Sequence, residues 1–220
     1  MSNFLVAAGF VIVAFIGSKV IQVFLGKKEE SRLDDLLKPR PSTISPTAPT
    51  KPRFHCPFEF NQIDLTVREH VEWLKSERDP ELWHVAAQAS LAYTDDPHNF
   101  VPWLVEQKEL DRSTAGWIFL WLEGSQYLKG EGRYYHSFSS DDYIKEIFSK
   151  LTSRSEVAGF SNNIIGLDVE FEKERQNCLR LIAEGRAATD IVIPRNLLDA
   201  PYPSPRPIRG IDNVEGVVCF

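Results

Sequence analysis

The sequence predicts an all-α protein in which a single N-terminal transmembrane helix and a Pro-rich linker lead into a compact domain of about six helices. Three features predict this. An apolar run fills residues 4–25, prolines crowd residues 38–57 and again 194–207, and between these regions apolar residues recur at helical spacing.

The run from Phe4 to Leu25 is 22 residues long. At about 1.5 Å per residue it reaches roughly 33 Å, the thickness of a bilayer's hydrocarbon core. Lys19 and Gln22 are its only costly residues, and both lie near the end closest to the domain, where Lys can reach the interface. No basic region precedes the run and no small-residue cleavage site follows it, so it reads as a retained anchor. Lys27, Lys28, Arg32, Lys38 and Arg40 all follow the run and no basic residue precedes it. That asymmetry places the N-terminus outside and the domain in the cytoplasm. Residues 1–26 are thus read as the anchor and 27–57 as a basic, Pro-rich linker. Residues 58–193 are the helical domain, and 194–220 are a Pro-rich tail that either drapes over it or hangs loose.

Within the domain, Thr66 and Glu69 form a capping-box pair ahead of Val67, His70, Val71 and Leu74, predicting a helix through Ser76. Asp79-Pro80 opens a second helix, striped by Leu82, Val85, Ala86 and Ala89. A third spans 99–108, with Pro102 in its first turn. Asp111 caps a fourth, and Ala115 to Leu122 is apolar on all sides, as in a helix at the middle of a core. After a loop marked by Gly124, Gly130 and Gly132, a fifth helix runs over 140–152 with Ile144, Ile147, Phe148 and Leu151 on one face. The sixth runs over 168–184 and stops at Gly185. Ile191 to Ile193 is a weak strand candidate.

Charge narrows the partners. The net charge is -6, but residues 1–53 carry eight Lys or Arg against four acids. The remainder therefore holds 25 − 8 = 17 basic and 31 − 4 = 27 acidic residues, a balance near −10. Such a domain repels nucleic acid and suits a basic protein partner. The three cysteines, Cys56, Cys178 and Cys219, have neither disulfide nor zinc spacing and read as reduced thiols.

No motif demands a cofactor, a metal or a nucleophile. Gly124-Ser125-Gln126 lacks the second glycine and the preceding strand of a nucleophile elbow. Gly130-Glu131-Gly132 lacks the remainder of a phosphate loop. Asp95, Asp96 and His98 could converge on an ion, although Asp96-Pro97 also starts a turn without one. His136, Ser137, Asp141 and Asp142 form a polar loop ending in a helix cap, and His70 and His84 lie beside apolar stripes, as structural histidines do. All five Trp lie between residues 73 and 121. They are expected to fill a core, the alternative being an aromatic binding surface.

One stretch carries a family likeness. Trp83-His84-Val85-Ala86-Ala87, Asn99 to Leu104, Asp111-Arg112-Ser113-Thr114-Ala115 and Phe119 to Trp121, in that order, resemble the bacterial domain of unknown function 4274 family over residues 81–123. Ser113 stands where the family has Gly, and Gln88 to Leu91 replace an Asn-Tyr-Asn run. The resemblance implies a bacterial source, a small helical domain and an accessory role near toxin systems, with no known activity.

Together these features point to a membrane-anchored protein-interaction module, as in a toxin-immunity or accessory protein. Its expected contact residues are Asp95, His98, Asn99, Tyr134, Tyr135 and His136, on loops that adapt without disturbing the core. The rival readings are a membrane-proximal hydrolase or transferase built around His84, Asp95, His98 and His136, and a structural component of a cell-envelope complex. Topology is testable directly. Protease added to intact cells should leave residues 54–220 intact, and their digestion from outside would reverse the orientation.

Overall fold

The computed structural model describes residues 55–131, 140–157, 159–160, 162–208 and 210–220, with the side chains of 155–157 left aside. The anchor, the linker as far as Phe54, and Tyr134, Tyr135 and His136 lie outside the described residues. Among those described, no helix is long and apolar enough to cross a membrane.

The described chain is mostly helical. A turn at Glu59–Asn61 leads into β1 (Gln62–Asp64), followed by α1 (Arg68–Glu77) and α2 (Pro80–Ala89). A π-helical turn, Ser90–Thr94, extends α2. Then come α3 (Phe100–Leu104), α4 (Arg112–Trp121), α5 (Gly124–Leu128), α6 (Asp141–Val157), α7 (Val169–Ala183) and α8 (Arg195–Leu198). Two short strands, β2 (Asp212–Val214) and β3 (Val217–Cys219), complete an antiparallel sheet ordered β1-β3-β2. All six expected helices are present, the third shortened from 99–108 to Phe100–Leu104, and α5, α8 and the sheet are additions to them.

The caps explain most boundaries. Asp79 accepts the N–H groups of Glu81 and Leu82, and Asp168 those of Glu170 and Phe171, each ahead of an apolar stripe. At α1 the expected capping box does not form. The Asp64 carboxylate instead takes both the Thr66 N–H, at 2.8 Å, and its hydroxyl, at 2.7 Å, so the helix starts later, after Val67. The Gly124 loop is also partly helical: Gly124 opens α5 because its missing side chain admits the Phe119 ring. Ile191 to Ile193 is not a strand. Its burial alternates, but no neighbouring strand pairs with it, and the Val192 carbonyl accepts the Tyr127 hydroxyl at 2.9 Å instead.

Helix α4 is the centre of the core and packs on α2, α5, α6, α7 and α8. Every residue from Arg112 to Leu120 is buried, and burying each large apolar side chain contributes about 1.5–3 kcal/mol. The Phe119 ring meets Phe148 at 5.1 Å and Tyr127 at 6.0 Å. Trp83 crosses Trp103 edge to face at 5.3 Å and donates its indole N–H to the Leu74 carbonyl at 3.0 Å. Trp117 stacks on Trp121 at 5.1 Å. The tryptophans fill the interior and its margin, as expected of core aromatics. All three cysteines are free thiols, and burial pushes that of Cys178 up to about 12.

The start of α4 also gathers distant chain. Asp111 accepts the Ser113 N–H with one oxygen and the Ile164 N–H with the other, both at 2.8 Å. Ser113 Oγ accepts the Gly166 N–H at 2.9 Å. The Arg112 guanidinium donates to the carbonyls of Asn196 (2.6 Å), Leu197 (3.3 Å), Ala200 (2.6 Å) and Pro201 (3.2 Å), and lies 4.0 Å from the centre of the Tyr202 ring. Arg175 adds a bond to the Leu198 carbonyl while held by Glu172. Of the two alternatives for the Pro-rich tail, the described part drapes over the helices. Gly116 makes room for it, since a Cβ there would fall 2.6 Å from Tyr202 Cζ and closer still to its hydroxyl.

Two substitutions test this docking. Gly116→Ala should destabilise by about 1–3 kcal/mol through overpacking, although the same change in an exposed helix would stabilise by about 1 kcal/mol. Arg112→Lys, which keeps the charge but loses the planar fork, should cost about 3 kcal/mol. In both variants limited proteolysis should cut first between residues 199 and 210. Unchanged melting and cleavage would show that the tail does not depend on these contacts.

Candidate interaction surface

The loop after α2 is built around one carboxylate. Asp96 is buried, and its two oxygens accept the N–H groups of Phe100 at 2.8 Å and Val101 at 2.9 Å, with the Tyr143 hydroxyl arriving from α6 at 2.6 Å. Burial pushes the Asp96 carboxyl up against the opposing pull of those three donors, and burial beside Asp96 raises the Tyr143 phenol. His98 closes the other side, its Nε2 lying 2.7 Å from the Thr66 carbonyl. Asp96 is therefore spent on backbone rather than on an ion, and no metal-binding cluster occurs among the described residues.

The backbone held this way is strained. Asp95 (φ 57°), Asp96 (46°) and Asn99 (51°) all occupy the left-handed region, at a cost of about 1–3 kcal/mol each. Such conformers persist where the surroundings over-determine them, as the Asp96 clamp does here. The result is a stiff projection whose outer side chains, Tyr93, Asp95, Pro97 and Asn99, are exposed.

A second projection lies against the first. Strands β2 and β3 pair Val214 with Val217, leaving Glu215 and Gly216 as a two-residue turn with φ 48° and 92°. Positive φ at both positions belongs to the tight turn that matches strand twist. Gly216 sits against Thr94 and Tyr93, so close that a Cβ would lie 2.7 Å from Thr94 Cγ2. Tyr93 (54 % exposed) thus lies against this turn, Val214 (58 %) stands two residues before Gly216, and Asp95, Asp212 and Glu215 are exposed acids on the two projections.

Of the expected contact residues, Asp95, His98 and Asn99 lie on the first projection, with His98 half-buried and engaged with backbone. Tyr93, Val214 and Glu215 are additions to them. The signal for Val214 and Glu215 is the Val-Glu-Gly-Val run, a turn dipeptide between apolar residues, and nothing local marks Tyr93.

Of the rival enzymatic site, His136 lies outside the described residues, and His84 does not share a cleft with Asp95 or His98. His84 lies on α2 inside the fold, with Nδ1 3.0 Å from Thr114 Oγ1 on α4. It lines a cleft of about 260 Å³ together with Gln88, Trp117, Leu167, Arg206 and Ile211, and neither Asp95 nor His98 lines that cleft. Burial pushes the His84 imidazole down to about 4, although Asp111 pulls the other way, so it is neutral at pH 7.

The depressed His84 value has a stability consequence. The folded state holds the ring neutral, so this contribution is complete above pH 6.5 and is lost as pH falls toward 4. Over that window the loss is about 3 kcal/mol, partly offset by Asp96, whose raised carboxyl protonates favourably in the fold. Denaturant titrations from pH 7 to 4 should show this slope in the wild type and a shallower one in His84→Gln. Equal slopes would mean that the ring is solvated. No protein-family model matches the chain, and neither does any curated protein or solved structure.

Proposed function

We propose that the chain is a membrane-tethered protein-interaction module that presents the Tyr93–Asn99 loop and the β2–β3 turn to a basic partner protein. The observation that carries this reading is the clamped loop. A solvent-facing segment with three left-handed non-glycine residues is pre-organised, and pre-organisation lowers the entropy lost on binding.

Charge and chemistry support it. The exposed Tyr93 and Val214 supply anchor area within an acidic rim, and the soluble portion carries the excess of ten acids counted above. Behind an apolar anchor at residues 4–25 and a Pro-rich spacer, the domain would stay in the cytoplasm at a bacterial inner membrane, where tethering raises its effective concentration. An immunity or accessory role, which the likeness of residues 81–123 to a family of helical domains suggests, is one form of such capture.

The test is affinity purification of the full-length chain from solubilised membranes, beside a variant carrying Asp95→Lys, Asn99→Lys and Glu215→Lys. A basic protein should be enriched by the wild type and lost at least tenfold by the variant. Association should slow as salt rises from about 0.1 M to 1 M, where the Debye length shrinks from about 10 Å to 3 Å. A partner retained equally by the variant would move the contact elsewhere, and no enrichment from any membrane preparation would end the reading.

A further inference from the structure

We infer that the cleft beside His84 binds a small neutral molecule that presents a carbonyl oxygen, as an amide or a lactone does, on an apolar body. The cleft is formed by α2, α4, the segment 165–168 and, from the tail, Pro205, Arg206, Ile208 and Ile211, and is separate from the loop surface. At about 260 Å³ it lies just below the range of about 300–1,000 Å³ for drug-sized sites. A ligand of metabolite size fits it.

The polarity follows from one hydrogen bond. His84 is buried (7 % exposed), and its Nδ1 has a single partner among the described residues, the Thr114 hydroxyl at 3.0 Å. That hydroxyl has no other acceptor among them, so its hydrogen points at Nδ1. The neutral ring then carries its proton on Nε2. No described group accepts from Nε2, and the ring borders the cleft, so a nearly buried N–H donor is left for an occupant.

The surrounding charges select the ligand's charge. Arg206, at the rim, is paired with Glu81, and the Asp168 carboxylate caps α7 from the cleft wall. Among the described residues one negative charge is therefore in excess, which disfavours a carboxylate. An ammonium group offers no lone pair to the Nε2 donor. Val85, Trp117, Leu167 and Ile211 give the cleft an apolar side, and Gln88 supplies a second polar contact for orientation.

The test uses the full-length chain in detergent with uniform 13C,15N labelling, the His84 ring being assigned through its backbone correlations to Trp83 and Val85. Its spectrum should show the Nε2–H tautomer. Three soluble probes of similar size are then titrated: caprolactam, cyclohexanecarboxylate and cyclohexylammonium. Caprolactam should move the His84 Nε2 resonance saturably, and the two ions should bind at least tenfold more weakly. An Nδ1–H tautomer, no saturable shift with the lactam, or equal binding of either ion would overturn the proposal. Because the wild-type protein carries the test, no variant needs to fold.

Discussion

The described domain depends most on the guanidinium of Arg112. A one-turn helix such as α8 ends with carbonyls that have no partner within the helix, and the prolines after it cannot continue the chain into another. Arg112 meets four of the carbonyls between Asn196 and Pro201 at once, and its neighbours Asp111 and Ser113 tie down Ile164 and Gly166. Three consecutive side chains at one helix start thus bind two segments that lie 50 and about 90 residues downstream. Without them the tail would lose its track across α4, and the cleft beside His84 would lose a wall.

What could be read from the sequence follows from the range of the forces involved. Helices α2, α4 and α7 announce themselves because Asp79, Asp111 and Asp168 act on N–H groups two or three residues away, and their apolar stripes are local patterns. The start of α1 was misjudged because Asp64 outcompetes Glu69 for the turn at Thr66. The sheet escaped notice because three-residue strands are too short to show alternation, and β1 finds its partner only at the far end of the chain. The tail's order was equally hidden, since its carbonyls are satisfied by arginines on other elements. For the surface, Asp95, His98 and Asn99 were legible as a polar loop, but Tyr93 meets the β2–β3 turn only through tertiary packing at Gly216.

The same division separates stability from recognition. The most costly polar burials, Asp96, Asp111, Arg112 and Arg175, are all paired with backbone groups and hold loops in place. Buried charges in such positions are worth their desolvation only when every bond is made. They confer shape. The groups left facing outward, Tyr93, Asp95, Asn99, Val214 and Glu215, bear little of the fold's energy and can vary with the partner.

The placement of β3 between β1 and β2 sets the order in which the protein can assemble during translation. Asp64 faces Val217, 217 − 64 = 153 residues later, and closing a loop of that length costs about 4 kcal/mol or more. Helices α1 to α7 draw on local contacts and can form as the chain emerges from the ribosome. The first strand, however, must wait with both edges unpaired until residues 217–219 have been made. A nascent chain of this protein therefore carries an open strand until that point, in the window when a chaperone has the most opportunity to act.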